Sequence, residues 1–137
     1  MSFVLDASQT LACLFEDEAH DEGLDFLELA ARSSAWVPSL WHLEVANALQ
    51  IGVKRGRCST NFVDQSLSRL TRLPINVDDG TSAQAWNATL SLARAESLTL
   101  YDACYLELAL RRALPLATRD ADLISAGRRR RVEILGC

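Results

Sequence analysis

Short apolar runs alternate with longer stretches in which hydrophobic residues recur every three or four positions, and the two rhythms predict strands and helices in turn. Phe3-Val4-Leu5 reads as a strand. Ser8 is placed to cap a helix carrying Leu11, Leu14 and Phe15. A second helix, over residues 18–31, sets Leu24, Leu27 and Ala31 at helical spacing. Ala35-Trp36-Val37 ahead of Pro38 is a short strand. Residues 40–55 predict a helix ending in Lys54, Arg55 and Gly56, which suit a helix C-terminus. Ser59 or Thr60 starts the next helix, whose apolar face holds Phe62, Val63, Leu67 and Leu70. Then come a strand at 73–77, a helix at 82–95, a helix from the Thr99 cap to about 112, a strand at 114–117, a short helix at 121–126 and a last strand at 132–135.

Strand–helix alternation implies a parallel sheet with helices on both faces. The expected fold is a three-layer α/β/α domain with a central parallel sheet of four to five short strands. The 137 residues fit a single domain over 1–137 and leave no room for two ordinary ones. In such sheets ligands bind beyond the carboxyl ends of the strands. Asp6 and Asp120 each follow a predicted strand, so both would face that crevice.

Four acids stand where acids are costly. Asp6 ends an apolar run, Glu44 lies inside Leu40-Trp41-His42-Leu43-Glu44-Val45-Ala46, Asp102 is embedded among Leu98 to Leu106, and Asp120 follows an apolar segment. A core-facing carboxylate pays a large desolvation cost unless something compensates it. Each also has a plain structural reading. Asp6 could be a turn residue beside Ser8, and Asp120 the N-cap of the next helix, with Asp122 as its rival. Asp102 could be the acidic member of a capping arrangement with Thr99. Glu44 resists such a reading. It shares a helical face with Leu40, Trp41, Asn47, Ala48 and Ile51, a face that looks core-directed, and no basic residue lies one turn away. A shared divalent cation would compensate all four acids at once.

Other acids carry less. Glu16, Asp17, Glu18, Asp21, Glu22 and Glu28 group with His20 in a solvated-looking segment, Asp78-Asp79-Gly80 reads as a turn, and Glu107 falls on a different helical face from Asp102. Composition is globular, 49% apolar and 23% charged. No run approaches the roughly 20 apolar residues that cross a bilayer. The N-terminus meets Asp6 without a basic stretch, so a cytoplasmic location is expected. Cys13, Cys58, Cys104 and Cys137 form no C-x-x-C pair, and with only His20 and His42 beside them a zinc site is poorly supported. Cys13 and Cys104 read as buried free thiols, His42 as structural. The net charge of −4 argues against a protein that coats nucleic acid by charge alone. It leaves room for an acidic nuclease pocket, and positive charge is clustered at Lys54, Arg55 and Arg57, at Arg111 and Arg112, and at Arg128 to Arg131.

These residues resemble those of the PIN-domain ribonucleases, most closely the VapC-type toxins of bacterial and archaeal toxin–antitoxin pairs. The likeness rests on Val4-Leu5-Asp6-Ala7-Ser8, on Leu43-Glu44-Val45-Ala46-Asn47-Ala48-Leu49, on Leu98 through Ala109 with Tyr101-Asp102-Ala103 inside it, and on Leu116-Ala117-Thr118-Arg119-Asp120. Each motif is weak alone, but the four keep the family's order and approximate spacing across the whole chain. The resemblance implies that Asp6, Glu44, Asp102 and Asp120 form the acidic metal-binding and catalytic set, with Ser8 and Thr118 as supporting hydroxyls. Asp122 could share or replace the role of Asp120.

An all-oxygen ligand set favours Mg²⁺ or Mn²⁺ over zinc. Two carboxylates about 6 Å apart repel by roughly 3 kcal/mol at an effective dielectric near 20, so four in one pocket would favour a cation. Such an ion activates water against a phosphodiester without a histidine base. The expected activity is that of a metal-dependent endoribonuclease, with an RNA substrate, a cognate antitoxin and a second copy of the chain as partners. Arg119 is the candidate RNA contact. The alternative is a catalytically inactive PIN-like module that binds nucleic acid or protein. A phosphoacceptor receiver domain is disfavoured, because the sole lysine, Lys54, lies inside a predicted helix.

Overall fold

The wholly buried triplet Phe3-Val4-Leu5 forms β1 (Phe3–Leu5), the middle strand of a five-stranded sheet, in a computed structural model that describes residues 2–15 and 25–136. The chain continues through α1 (Ala7–Leu14), α2 (Phe26–Ser33), β2 (Ala35–Pro38), α3 (Trp41–Lys54), α4 (Thr60–Thr71) and β3 (Ile75–Asp78). It then forms α5 (Thr81–Ala85), α6 (Ala88–Glu96), α7 (Leu100–Arg112), β4 (Leu116–Ala117), α8 (Ala121–Arg129) and β5 (Ile134–Leu135). All the strand pairings are parallel, in the order β3-β2-β1-β4-β5.

That order determines where the helices go. From β1 to β2 to β3 the chain steps one way across the sheet. From β3 to β4 it jumps back over β1 and continues the other way to β5. Right-handed crossovers then put α1 to α4 on one face and α5 to α8 on the other. The packing agrees: α1 touches α2 and α3, and α3 touches α4, whereas α7 lies against β1, β2 and β4 and touches α5, α6 and α8. The three-layer α/β/α arrangement expected from the sequence is therefore present. The winding reverses between β1 and β4, which opens a crevice beyond their carboxyl ends. Register pairs Val4 with Leu116 and Leu5 with Ala117, so Asp6 and Thr118 emerge side by side into that crevice.

α7 is the helix the core is built around. Ala103 and Tyr105 through Ala109 are all buried, too many for one amphipathic stripe, because this helix meets the sheet on one side and three helices on the others. Burying each large apolar side chain such as Leu106 contributes about 1.5–3 kcal/mol. Gly127 lets α8 close on β5, since a Cβ there would come within 2.7 Å of Ile134 Cδ1.

Several local expectations need correcting. Ser8 does not cap α1: Asp6 occupies the N-cap position, without a side-chain capping bond, and Ser8 turns its hydroxyl to the Asp6 carboxylate instead. The helix expected at 18–31 is described only from Asp25 onward, where Asp25 caps α2 by accepting from the Leu27 and Glu28 amides. Leu24, His20 and the acids from Glu16 to Glu22 lie outside the described residues, as does Cys137; Glu28 is exposed. The helix expected at 82–95 is two, because the chain breaks at Asn87. The strands expected at 114–117 and 132–135 are each trimmed to two residues. α8 runs on to Arg129, three residues beyond its expected end. Glu44 lies on the flank of α3, not on its core face, which is Trp41, Val45, Leu49 and Gly52. Cys13 and Cys104 are free but only half-buried. No described helix is long and apolar enough to cross a membrane.

The Asp78 turn hides a buried ion-pair cluster. Asp78, 1% exposed, accepts from Arg111 Nη1 at 3.0 Å and Nη2 at 2.6 Å and from Arg112 Nε at 2.9 Å. Arg111 also donates to buried Glu107 at 2.7 Å, and Arg112 stacks 3.6 Å above the Trp36 ring. This clamp ties the end of β3 to the end of α7. It gives Glu107 a structural role away from the Asp102 face.

Candidate active site

Each of the four acids reaches the crevice by a different device. Asp6 arrives at the end of β1, where its amide still pairs with the Ala117 carbonyl at 3.0 Å and its carbonyl accepts from the Thr10 amide and hydroxyl. Asp6 is 3% exposed. Oδ2 accepts from the Thr118 hydroxyl at 2.6 Å and the Ser8 hydroxyl at 2.7 Å. Burial raises its pKa above the ordinary carboxylate value, the two hydroxyls oppose that rise, and the charge of Asp120 adds to it.

Ser8 and Thr118 do more than support Asp6. The Ser8 oxygen accepts from the Arg119 amide at 3.0 Å, and Thr118 Oγ1 accepts from the Asp120 amide at 3.1 Å. The segment after β4 is thereby latched to the segment after β1. Asp120 caps α8 by accepting from the Leu123 amide at 2.9 Å. Its N-cap role is therefore real, and it coexists with a position beside the other acids. Asp122 is exposed in the first turn of α8.

Glu44 comes from α3 and Asp102 from the first turn of α7, on opposite faces of the sheet. Glu44 is held by the Tyr105 hydroxyl, which donates to Oε1 at 2.5 Å. Burial raises the Glu44 pKa, the Tyr105 bond lowers it, and the charge of Asp6 raises it. The Thr99 hydroxyl caps α7 by accepting from the Asp102 amide at 3.1 Å. Burial, then the charges of Asp120, Asp6 and Glu44, push the Asp102 carboxyl up to about 6. The four candidate acids therefore share one electrostatic neighbourhood at the carboxyl edge of the sheet.

Tyr105 was not among the residues singled out from the sequence. Its phenol is buried, and burial together with the Asp6 and Glu44 charges raises its pKa, so it stays a donor at any working pH. The signal was present: Tyr105 lies three positions after Asp102 on one helix, hence on its face, and a buried tyrosine hydroxyl needs a partner. His42 is exposed and sits edge-on against Trp41 at 4.9 Å, apart from the acid chemistry.

The donor set suits a hard cation, because carboxylates and hydroxyls are all oxygen ligands. Among the described residues no three of the His, Cys, Asp and Glu side chains are grouped tightly enough to hold one ion as they stand. Asp6, Glu44 and Asp120 each commit an oxygen to a hydroxyl or an N–H. A carboxylate keeps further lone pairs after one such bond, so the set can still take a cation if the side chains draw together.

Beside the acids lies a cleft of ≈ 420 Å³ whose walls include Ser8, Phe15, Arg57, Arg119 and Asp120. Arg119, the expected RNA contact, is therefore on the cleft. Arg57 joins it from the turn after α3.

Comparison with known proteins fits this architecture. Two solved structures are similar over nearly the whole chain. One is the crystal structure of PAE2754 from Pyrobaculum aerophilum, 20% identical, covering 92% of this chain and 84% of that one with a TM-score of 0.64. The other is VapBC2 from Rickettsia felis bound to a DNA fragment from their promoter, 19% identical, covering 98% and 97% with a TM-score of 0.59. At such identities the likeness speaks for the fold. No curated protein matches. The sequence model of the PIN domain matches residues 3–129. That span takes in the strands that carry Asp6 and Asp120 and every helix between them, and the chain belongs to the PIN-domain family.

Proposed function

We propose that this protein is a metal-dependent endoribonuclease, the toxin of a toxin–antitoxin pair, which cleaves RNA phosphodiester bonds by metal-activated water. The observation that carries this reading is the convergence of Asp6, Glu44, Asp102 and Asp120 from four separate elements on one crevice, where the charges of Asp120, Asp6 and Glu44 all act on the Asp102 carboxyl. Like charges gathered so closely cost stability unless something positive joins them. Asp6, Glu44, Asp102 and Asp120 would hold Mg²⁺ or Mn²⁺, which supplies an activated water and neutralises charge on the phosphate. The chain's own residues do the positioning. Thr118 and Ser8 orient Asp6, Tyr105 orients Glu44, and Thr99 fixes the helix turn that presents Asp102.

Membership of the PIN family supports nuclease chemistry, and the VapBC2 neighbour supports a VapC-type chain with an antitoxin partner. A second copy of the chain and a cytoplasmic setting complete the proposal. The specific observation on the side of an inactive binding module is that, among the described residues, no three carboxylates are grouped for one ion. Incubation with mixed RNA, with and without Mn²⁺, separates the two. Cutting that needs Mn²⁺ and vanishes in Asp6→Asn and Asp102→Asn supports the nuclease. Wild-type protein that leaves RNA intact at every metal concentration supports the binding module.

A further inference from the structure

Arg57 is held in place by two independent features. Its amide donates to the Gly52 carbonyl at 2.8 Å across a tight reversal in which Gly56 takes a φ of 74°. That left-handed conformation suits glycine. Its guanidinium then lies 3.9 Å above the centre of the Phe15 ring, and Phe15 in turn stacks on Phe62 at 5.2 Å and 27°. A guanidinium seated over an aromatic ring is held there by the ring's quadrupole, and its planar fork matches the geometry of a phosphate. The same cleft carries Arg119, whose amide is pinned to Ser8, and it carries Asp120 of the acid set. A chain of net charge −4 with an acidic centre repels RNA, so local cations beside that centre matter to its approach.

We propose that Arg57, paired with Arg119, is a positioning residue that holds a backbone phosphate of single-stranded RNA next to the bond to be cut. The inference rests on the nuclease reading and adds to it the strand's path along this cleft. Arginine contacts to phosphate place a strand without reading its bases, so the contact serves any sequence.

The test measures binding of a labelled twelve-nucleotide oligouridylate between 50 and 300 mM salt. It compares Asp102→Asn protein with the same protein carrying Arg57→Ala, Arg57→Lys or Arg119→Ala. Loss of the Arg57 contact is expected to weaken binding about tenfold, the scale of one charge-assisted hydrogen bond. It should also flatten the slope of log affinity against log salt by about 0.7, the value for one phosphate contact on a single strand. Lysine should restore the slope but only part of the affinity, since it keeps the charge and loses the planar fork. Melting temperatures report whether each variant is folded; the exposed site predicts that all are. Unchanged affinity and slope in folded Arg57→Ala would overturn the proposal. So would an equal loss of affinity for a polyglutamate peptide, which would make the cleft an acidic-protein site. Wild-type protein that cuts no RNA with Mn²⁺ while Arg57→Ala still flattens the slope would refute the nuclease reading and leave the phosphate contact standing.

Discussion

The Tyr105–Glu44 bond spans 61 positions of sequence and joins helices from opposite faces of the sheet. No helical wheel of α3 could find it, because the partner lies on another element. Such partners are why Glu44 was recognisable from its neighbours as an anomaly while its environment was not. Tyr105→Phe keeps the buried ring and removes the donor. Urea unfolding should show a loss of about 1 kcal/mol, the scale of one hydrogen bond to a half-buried carboxylate. RNA cutting should fall by at least tenfold, because Glu44 is no longer held. A variant as stable and active as wild type would show that the hydroxyl orients nothing. Asp78 illustrates the same limit. Its sequence context reads as a turn, and its arginine partners lie 33 and 34 positions away. They hold its pKa down to about 2 from an ordinary 3.8. A depressed carboxylate stabilises the fold above its unfolded pKa, so this stability is complete above about pH 4 and drains away between pH 4 and pH 2. Arg111→Ala leaves Asp78 and Glu107 buried with weakened compensation and should cost about 3 kcal/mol or more at pH 7. In urea titrations the gap between wild type and Arg111→Ala should narrow as pH falls from 4 to 2. A constant gap would contradict the clamp.

Helices and strands followed the periodicity closely wherever a cap or glycine marked an end. Ser59 caps α4 and Thr99 caps α7, each by accepting from the amide three residues on. Periodicity misled where a local polar group had a distant partner, as when Ser8 turned from the helix end to the Asp6 carboxylate. It also misled across Trp86 and Asn87, which break a helix without a proline or glycine to announce it. The end of α7 shows a cost left in the design. Ala113 stands in the left-handed region at φ 55°, where a Cβ is unfavourable. Ala113→Gly should raise stability by about 0.5–1 kcal/mol in thermal or urea unfolding, relief of strain outweighing the added freedom of the unfolded chain. A destabilised glycine variant would mean that the alanine methyl makes a contact worth more than its strain.

The whole molecule is organised by one reversal of winding. Because the chain proceeds from the parallel neighbours β1 and β4 toward opposite edges of the sheet, the ends of two strands and the flanks of α3 and α7 face one crevice. Strand-following acids were legible as crevice residues from the alternation alone, and Asp6 and Asp120 stand there. What the alternation could not supply was the distance between carboxylates, which depends on how each is tethered. Binding of Mn²⁺ reads that distance most directly. Unfolding should be followed in wild type, Asp6→Asn and Asp102→Asn, with and without Mn²⁺ at a hundredfold excess over its dissociation constant. A shared metal centre predicts a gain of about 2.7 kcal/mol in wild type and little or none in either variant, both of which remain folded without metal. A wild-type melt unmoved by millimolar Mn²⁺, or an equal gain in all three proteins, would contradict the claim that these acids form one metal centre.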